Sequence, residues 1–159
     1  MALERTLILI KPDGLARSLT GNILTELAKL DFEIIAVKMI KVDDALAGKH
    51  YEEHQGKPFF DGLVKYLKGQ YHKKEKVMAL VYEGENAIQV IRELIGNTNP
   101  NLANPISIRG KYGRIRNVDG EEIFENVLHA SANVDDAKRE VALWFRPDEL
   151  VDMFPNCRN

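Results

Sequence analysis

The stretch Asn126-Val127-Leu128-His129-Ala130-Ser131 ends an apolar run on a histidine, follows it with small residues, and leads into a polar, helix-forming run from Asn133 to Phe145. An imidazole is a competent nucleophile as well as a base. A helix N-terminus is electropositive and favours anionic phosphate. The chemistry this arrangement could perform is phosphoryl transfer through a phosphohistidine. Taken alone, the segment fits a histidine packed in a core equally well.

The other histidines offer less. His50 and His54 lie four residues apart on a helix expected to start at Asp43, a spacing that can bind a metal, but Glu52 and Glu53 do not complete an H-E-x-x-H pattern. A half-exposed helix face is the expected setting. His72 sits in a turn of glycine, tyrosine and lysines with nothing to activate it. Several polar residues have apolar neighbours, and each has a structural explanation of its own. Lys11 ends the most hydrophobic strand and can snorkel to the sheet edge. Arg92 falls near a helix C-terminus, where it offsets the dipole. Arg109 follows Ile106 and Ile108 and can pair with a surface carboxylate. Of the adjacent Phe59 and Phe60, one suits the core and the other stacking. No Walker-type G-x-x-x-x-G-K-[ST] and no protein-kinase signature is present. In Arg109-Gly110-Lys111-Tyr112-Gly113 a lysine displaces the aromatic of the RNA-recognition signature, so that match fails.

The elements that must position these residues follow from patterning. Arg5 to Lys11 reads as a buried strand stopped by Pro12-Asp13-Gly14. Thr20 can cap a helix to about Leu30, with Ile23, Leu24, Leu27 and Leu30 on one face. Phe32 to Val42 is a second strand. Asp43 caps a helix through His54, and a short helix after Pro58 carries Phe60, Leu63, Val64 and Leu67. A third strand spans Lys76 to Tyr82, and a helix spans Asn86 to Ile95, broken by Asn97-Thr98-Asn99-Pro100. An irregular loop leads to Arg109-Gly110, Asp119-Gly120 suggests a tight hairpin, and Asn126 to His129 is a fourth strand. The final helix ends near Phe145, and Arg146-Pro147-Asp148-Glu149 starts one more turn. Setting aside the helical pair and the last helix leaves βαββαβ, the ferredoxin-like arrangement. The expected fold is therefore α+β, a ferredoxin-like βαββαβ sandwich with an inserted helical pair and a C-terminal helix.

Bulk properties narrow the class. A chain of 159 residues suits one well-cored domain, expected over 1–159. The formal charge of -2 argues against nucleic acid as the main partner, and the lysines at 65, 68, 73, 74 and 76 read as a solvated surface. Cys157 is the only cysteine, so no intrachain disulfide can form, which fits a reducing cytoplasm. The N-terminus lacks a signal-peptide shape, and no segment has the length needed to cross a membrane.

Several blocks in order carry a resemblance over nearly the whole chain: Thr6-Leu-Ile-Leu-Ile-Lys-Pro-Asp-Gly14, His50-Tyr51, Lys57-Pro-Phe-Phe60, Gly62-Leu-Val-Lys-Tyr66, Thr98-Asn-Pro100, Ile108-Arg-Gly110, Asn126-Val-Leu-His-Ala-Ser131, Leu143-Trp-Phe145 and Pro147-Asp-Glu-Leu150. The chain resembles the nucleoside diphosphate kinases. The resemblance implies ping-pong transfer of a γ-phosphate from a nucleoside triphosphate, ATP, to a nucleoside diphosphate. It implies His129 as nucleophile, Glu140 orienting the imidazole, and Ser131 in support. By the same resemblance Lys11, Tyr51, Arg92, Thr98 and Arg109 surround the phosphates, Asn126 and Lys11 read the ribose hydroxyls, and Phe59 stacks on the base. Mg²⁺ is expected to bridge phosphates and keep waters, without a protein cage. Relatives build tetramers or hexamers from dimers, and a hexamer is the expectation here.

Two departures stand out. Family members commonly read Ser-Asp-Ser where this chain reads Ser131-Ala132-Asn133, which predicts altered local electrostatics and retained activity. The segment between Arg109 and Asn126 is longer than in many relatives and runs from basic to acidic, so it is expected near the pocket mouth or a subunit contact.

Overall fold

The computed structural model describes residues 2–151; Cys157 lies outside them. Four antiparallel strands form the main sheet in the order β2-β3-β1-β6: β1 (Leu3–Ile10), β2 (Glu33–Ile40), β3 (Val77–Glu85) and β6 (Leu128–Ala130). With β1 and β3 in the centre and the β1–β2 connection crossing over β3, this is the split βαββαβ arrangement expected from patterning.

Strand alternation divides the core. Ile8 and Ile10 face α2 (Thr20–Ala28), α5 (Ala87–Ile95) and α6 (Ile108–Tyr112), packing with Ile23, Leu27, Ile91, Ile95 and Ile108. Leu7 and Leu9 face the opposite way, toward the inserted pair α3 (Asp44–His50) and α4 (Phe60–Leu67) and the final helix α7 (Val134–Trp144). Every residue from Leu7 to Ile10 is fully buried, because helices cover both faces of β1. His129 pairs with Leu9 in the β1–β6 register, which turns its ring toward α3 and α7.

Local chemistry moves some boundaries. Pro12-Asp13-Gly14 does not simply stop the first strand; it opens a short helix, α1 (Pro12–Ala16), since proline at a first helical position loses no hydrogen bond. Thr20 lies inside α2 and the cap position is Leu19, with no side-chain cap bond. Asp43 caps α3 by accepting from Leu46 N at 2.8 Å, but α3 ends at His50 and a separate 3₁₀ turn holds Glu52–His54. The stretch before Gly110 is not all loop: Ser107 Oγ accepts from Gly110 N and starts α6, which places Arg109 on a helix. Beyond it, β4 (Arg114–Val118) and β5 (Glu121–Glu125) form the hairpin expected at Asp119-Gly120, both residues having the positive φ that a tight primed turn requires.

Candidate active site

A carboxylate holds His129 by one ring nitrogen. Its Nε2 lies 2.8 Å from Glu140 Oε2, and the same oxygen accepts from Ser131 Oγ at 2.6 Å. Ser131 is itself fixed by Leu7 N, which donates to its Oγ. A carboxylate facing Nε2 favours a proton there and leaves Nδ1 as the lone-pair nitrogen. Burial is the main reason the imidazole is held well below its ordinary pKa, and Lys11, Arg109, Arg92 and Arg139 add to it. Burial likewise raises the Glu140 carboxyl. The ring is therefore neutral at pH 7.

His50 is buried, not half-exposed: its ring meets His129 edge-to-face at 4.5 Å between centroids, and its Nδ1 accepts from Trp144 Nε1 at 3.2 Å. Those contacts set the C-terminal end of α3 against His129 and Trp144. The trio His50, His129 and Glu140 brings potential ligand atoms within 4.8 Å of one another. As donated, the Trp144 hydrogen bond keeps the proton of neutral His50 on Nε2, which weakens that nitrogen as a ligand. Nor does a set of two imidazoles and one carboxylate suit Mg²⁺, which takes oxygen ligands.

Around the ring the structure gathers cations. Lys11 does not snorkel: it is buried and donates from Nζ to Asn126 Oδ1 at 2.8 Å, while Asn126 Nδ2 donates to the Thr98 carbonyl at 3.0 Å. Burial, with nearby Arg109 adding, lowers the Lys11 pKa to about 7. Arg109 pairs with no carboxylate among the described residues; it is buried and donates to the carbonyls of Gly96 (3.0 Å) and Leu128 (2.8 Å). Burial, then the charge of Arg92, lowers its pKa to about 10. Arg92 is exposed, and among the described residues it makes no hydrogen bond or ion pair. The Tyr51 hydroxyl is buried without a hydrogen-bond partner in the same set, and burial raises its pKa. Phe59 is 53% exposed beside Lys57, whereas Phe60 packs against the core.

A residue that sequence reading left unassigned organises this charge. Asp13 is fully buried, accepts from Tyr66 Oη at 2.6 Å through Oδ1, and accepts from Val127 N at 3.0 Å through Oδ2. Val127 has φ 61°, a rare value for a β-branched residue, and Leu128 N donates across it to the Asn126 carbonyl at 2.8 Å. This tight reversal directs Asn126 toward Lys11 and Thr98 immediately before His129 enters the sheet. Gly14 lets α1 approach it, since a Cβ there would stand 3.1 Å from the Val127 carbonyl oxygen. The only signal for Asp13 was its place in the Lys-Pro-Asp-Gly block.

The 110–125 segment adds a second buried carboxylate. Glu125 is fully buried, bound by His72 Nε2 at 2.7 Å and by the guanidiniums of Arg114 and Arg116. Burial would raise its pKa, but the hydrogen bonds from Arg114 and His72 hold it below the usual carboxylate range. His72 is therefore partnered, contrary to expectation. Because Glu125 precedes Asn126, the hairpin is anchored next to the residue that bonds Lys11 and the Thr98 carbonyl.

The family model described as nucleoside diphosphate kinase matches residues 4–150. The chain belongs to the nucleoside diphosphate kinase family. A nucleoside diphosphate kinase of Pyrococcus furiosus is 43% identical over 149 residues, covering 94% of this chain and 87% of that protein. Among solved structures, the Borrelia burgdorferi nucleoside-diphosphate kinase, a transition-state mimic with bound vanadate and ADP, has a TM-score of 0.83 at 34% identity, covering 97% of this chain and 94% of that one. The Halobacterium salinarum enzyme in complex with CDP has a TM-score of 0.82 at 38% identity, covering 98% and 95%. The four-stranded antiparallel sheet of the family is present here. The chain is a nucleoside-diphosphate kinase, transferring phosphate from a nucleoside triphosphate to a nucleoside diphosphate by the family's phosphohistidine mechanism.

Proposed function

We propose that His129 carries the phosphoryl group, at Nδ1, between ATP as donor and a nucleoside diphosphate as acceptor. The observation supporting this most strongly is a neutral imidazole, oriented by Glu140, near Lys11, Arg92 and Arg109, which among the described residues form no ion pair with a carboxylate. The Nδ1 lone pair forms a bond to the γ-phosphorus while the bond to the β-bridging oxygen breaks, and the electron pair leaves with ADP. The acceptor's terminal phosphate oxygen reverses the step. Glu140 and Ser131 hold the ring, and the imidazolium character that develops is stabilised by the carboxylate at Nε2.

Lys11, Arg92 and Arg109, with Tyr51 and Thr98, surround the phosphates and stabilise charge on the equatorial oxygens. Bound phosphate supplies the counter-charge that burial denies Lys11, and so restores its ammonium. Asn126 and Lys11 also address the ribose hydroxyls, and the exposed Phe59 stacks on the base, which tolerates different nucleobases. Mg²⁺ would bind through the nucleotide's phosphates and water without a protein cage, and would supply positive charge to the phosphates that Lys11, Arg92 and Arg109 surround. Incubation with Mg·ATP and no acceptor is expected to add one acid-labile phosphoryl group to the intact mass, located at His129. An unmodified mass would overturn the assignment.

Self-association fits the sheet edge. Outer strand β2 leaves Ile34, Val37 and Met39 at 48, 54 and 49% exposure, an apolar edge that a second copy would cover. A dimer is the building unit, and the family resemblance favours a hexamer over a tetramer. Multi-angle light scattering is expected to give a hexamer for the wild type and smaller species for Val37→Glu. A wild-type monomer at every concentration would contradict this. A cytoplasmic location fits the single cysteine, and among the described residues no helix is long and apolar enough to cross a membrane.

A further inference from the structure

Arg139 stands one position before Glu140 on α7, where neighbouring side chains ordinarily diverge. Its guanidinium nevertheless returns to that carboxylate, with Nη2 3.7 Å from Glu140 Oε1. The other nitrogen, Nη1, donates to the Lys49 carbonyl at 3.3 Å and lies 3.5 Å from Glu52 Oε1. Asp136 Oδ1 completes the surroundings at 4.0 Å from Nη2. The two oxygens of Glu140 therefore have separate duties: Oε2 takes His129 and Ser131, and Oε1 faces Arg139. Lys49 and Glu52 bracket His50 and Tyr51; the His50 ring packs against His129, and the Tyr51 ring packs against His50.

We propose that Arg139 is a positioning residue for phosphoryl transfer, fixing the Glu140 carboxylate that sets the His129 ring and tying the His50–Tyr51 end of α3 to the same carboxylate. The proposal rests on the reading of His129 as the phosphorylated residue. Stability alone gives little reason for this network. Arg139 is 31% exposed and its carboxylate neighbours Glu52 and Asp136 are also reached by solvent, so the ion pairs contribute about 1 kcal/mol or less to folding. Orientation is a different matter. A carboxylate that orients an imidazole is itself effective only when its own position is held, and losing such an outer partner costs roughly tenfold or more in function. The planar fork of arginine can span a carboxylate and a backbone carbonyl together, which a lysine cannot do equally well.

Charge gives the proposal a signature in pH. The groups facing the pair are Arg139 on α7, His50 at the end of α3, Ser131 after β6, Arg92 on α5, Arg109 on α6 and Lys11 at the start of α1. Among these, Arg139 favours the ionised Glu140 and the neutral His129, in each case lowering the pKa. Transfer needs both of those states. Removing the positive charge raises both pKa values, so the acid limb of the rate profile moves to higher pH.

The test compares wild type, Arg139→Gln and Arg139→Lys by single-turnover phosphoenzyme formation from Mg·ATP across pH, with nucleotide Kd and melting temperature measured alongside. Arg139→Gln is expected to form phosphoenzyme about tenfold more slowly at pH 7, with an acid limb displaced upward and Kd changed less than about twofold. Arg139→Lys is expected to restore the limb and part of the rate. An unchanged rate and limb in Arg139→Gln overturns the proposal. A weakened Kd with an unchanged single-turnover rate at saturation also overturns it, because Arg139 would then serve binding. A lowered melting temperature with a proportionate loss of active protein, and an unmoved limb, overturns it in favour of a folding role. If wild type itself gains no phosphoryl group at His129 while Arg139→Gln retains full steady-state turnover, the reading beneath the proposal has failed along with it.

Discussion

His129→Ala is expected to abolish the acid-labile phosphoryl adduct and reduce steady-state transfer by at least about 10⁴-fold, the scale on which loss of a covalent nucleophile is felt. Nucleotide affinity should stay within a few-fold of wild type, because the cations and Asn126 hold one another and not the ring. Lys11 bonds to Asn126, Asn126 to the Thr98 carbonyl, and Arg109 to the carbonyls of Gly96 and Leu128. Of these, only the Leu128 carbonyl neighbours the substituted residue, and it is backbone. Intact-mass analysis, transfer assays and equilibrium nucleotide binding together check the result. Near-wild-type turnover would move the nucleophile elsewhere, and an adduct that persists at His50 would identify where. His50 is the sole other histidine in the described structure that touches His129. Its own pKa is pushed well down, first by burial and then by His129, so it is neutral as well. What separates the two rings is the partner on the far nitrogen. A carboxylate faces His129 Nε2 and strengthens the opposite nitrogen as a nucleophile, whereas His50 Nδ1 is occupied by the Trp144 donor.

That difference also explains what could be read from the sequence. Strand alternation in Leu7 to Ile10 and the spacing of Ile23, Leu27, Ile91 and Ile95 report burial directly, so the βαββαβ order was legible. The pairing of His129 with Glu140 came from the resemblance to the nucleoside diphosphate kinases, and in the structure Glu140 Oε2 lies 2.8 Å from His129 Nε2. The setting of His50 could not be read, because it depends on where α3 stops, and that boundary is decided by packing against Trp144 and His129. Extending α3 through His54 gave a helix face where the structure has a buried ring. The helix that carries Arg109 is hidden for a related reason: Ser107 supplies a helix cap inside a segment whose asparagines and prolines otherwise suggest loop. Glu125 and His72 are 53 residues apart, and nothing local indicates that they meet. The hairpin turn at Asp119-Gly120 was legible, since it is a matter of backbone conformation, but its anchor was not.

Asp13→Ala is expected to be the most destabilising substitution in the site, costing about 3–5 kcal/mol, the range for breaking a buried charge arrangement from one side. Three penalties combine. The Tyr66 hydroxyl and the Val127 amide each lose their acceptor in a buried setting. Val127 also loses the bond that holds its left-handed conformation, which carries roughly 1–3 kcal/mol of strain. Finally, Asp13 is the group that raises the pKa of Lys11 against burial and Arg109, so its loss leaves those cations less compensated. For a chain of this size the melting temperature should fall on the order of 10 °C, measured at equal protomer concentration because assembly contributes to stability. Asp13→Asn separates the contributions. The amide oxygen can still accept from Tyr66, but the NH₂ group then opposes the Val127 N–H, and the charge is gone. Its stability should fall between wild type and alanine, while its nucleotide KM near pH 7 should rise because Lys11 is less often protonated when it must meet the phosphates. A loss below about 1 kcal/mol in Asp13→Ala, with KM unchanged in Asp13→Asn, would show that the turn at Val127 and the Lys11 charge are held by other groups.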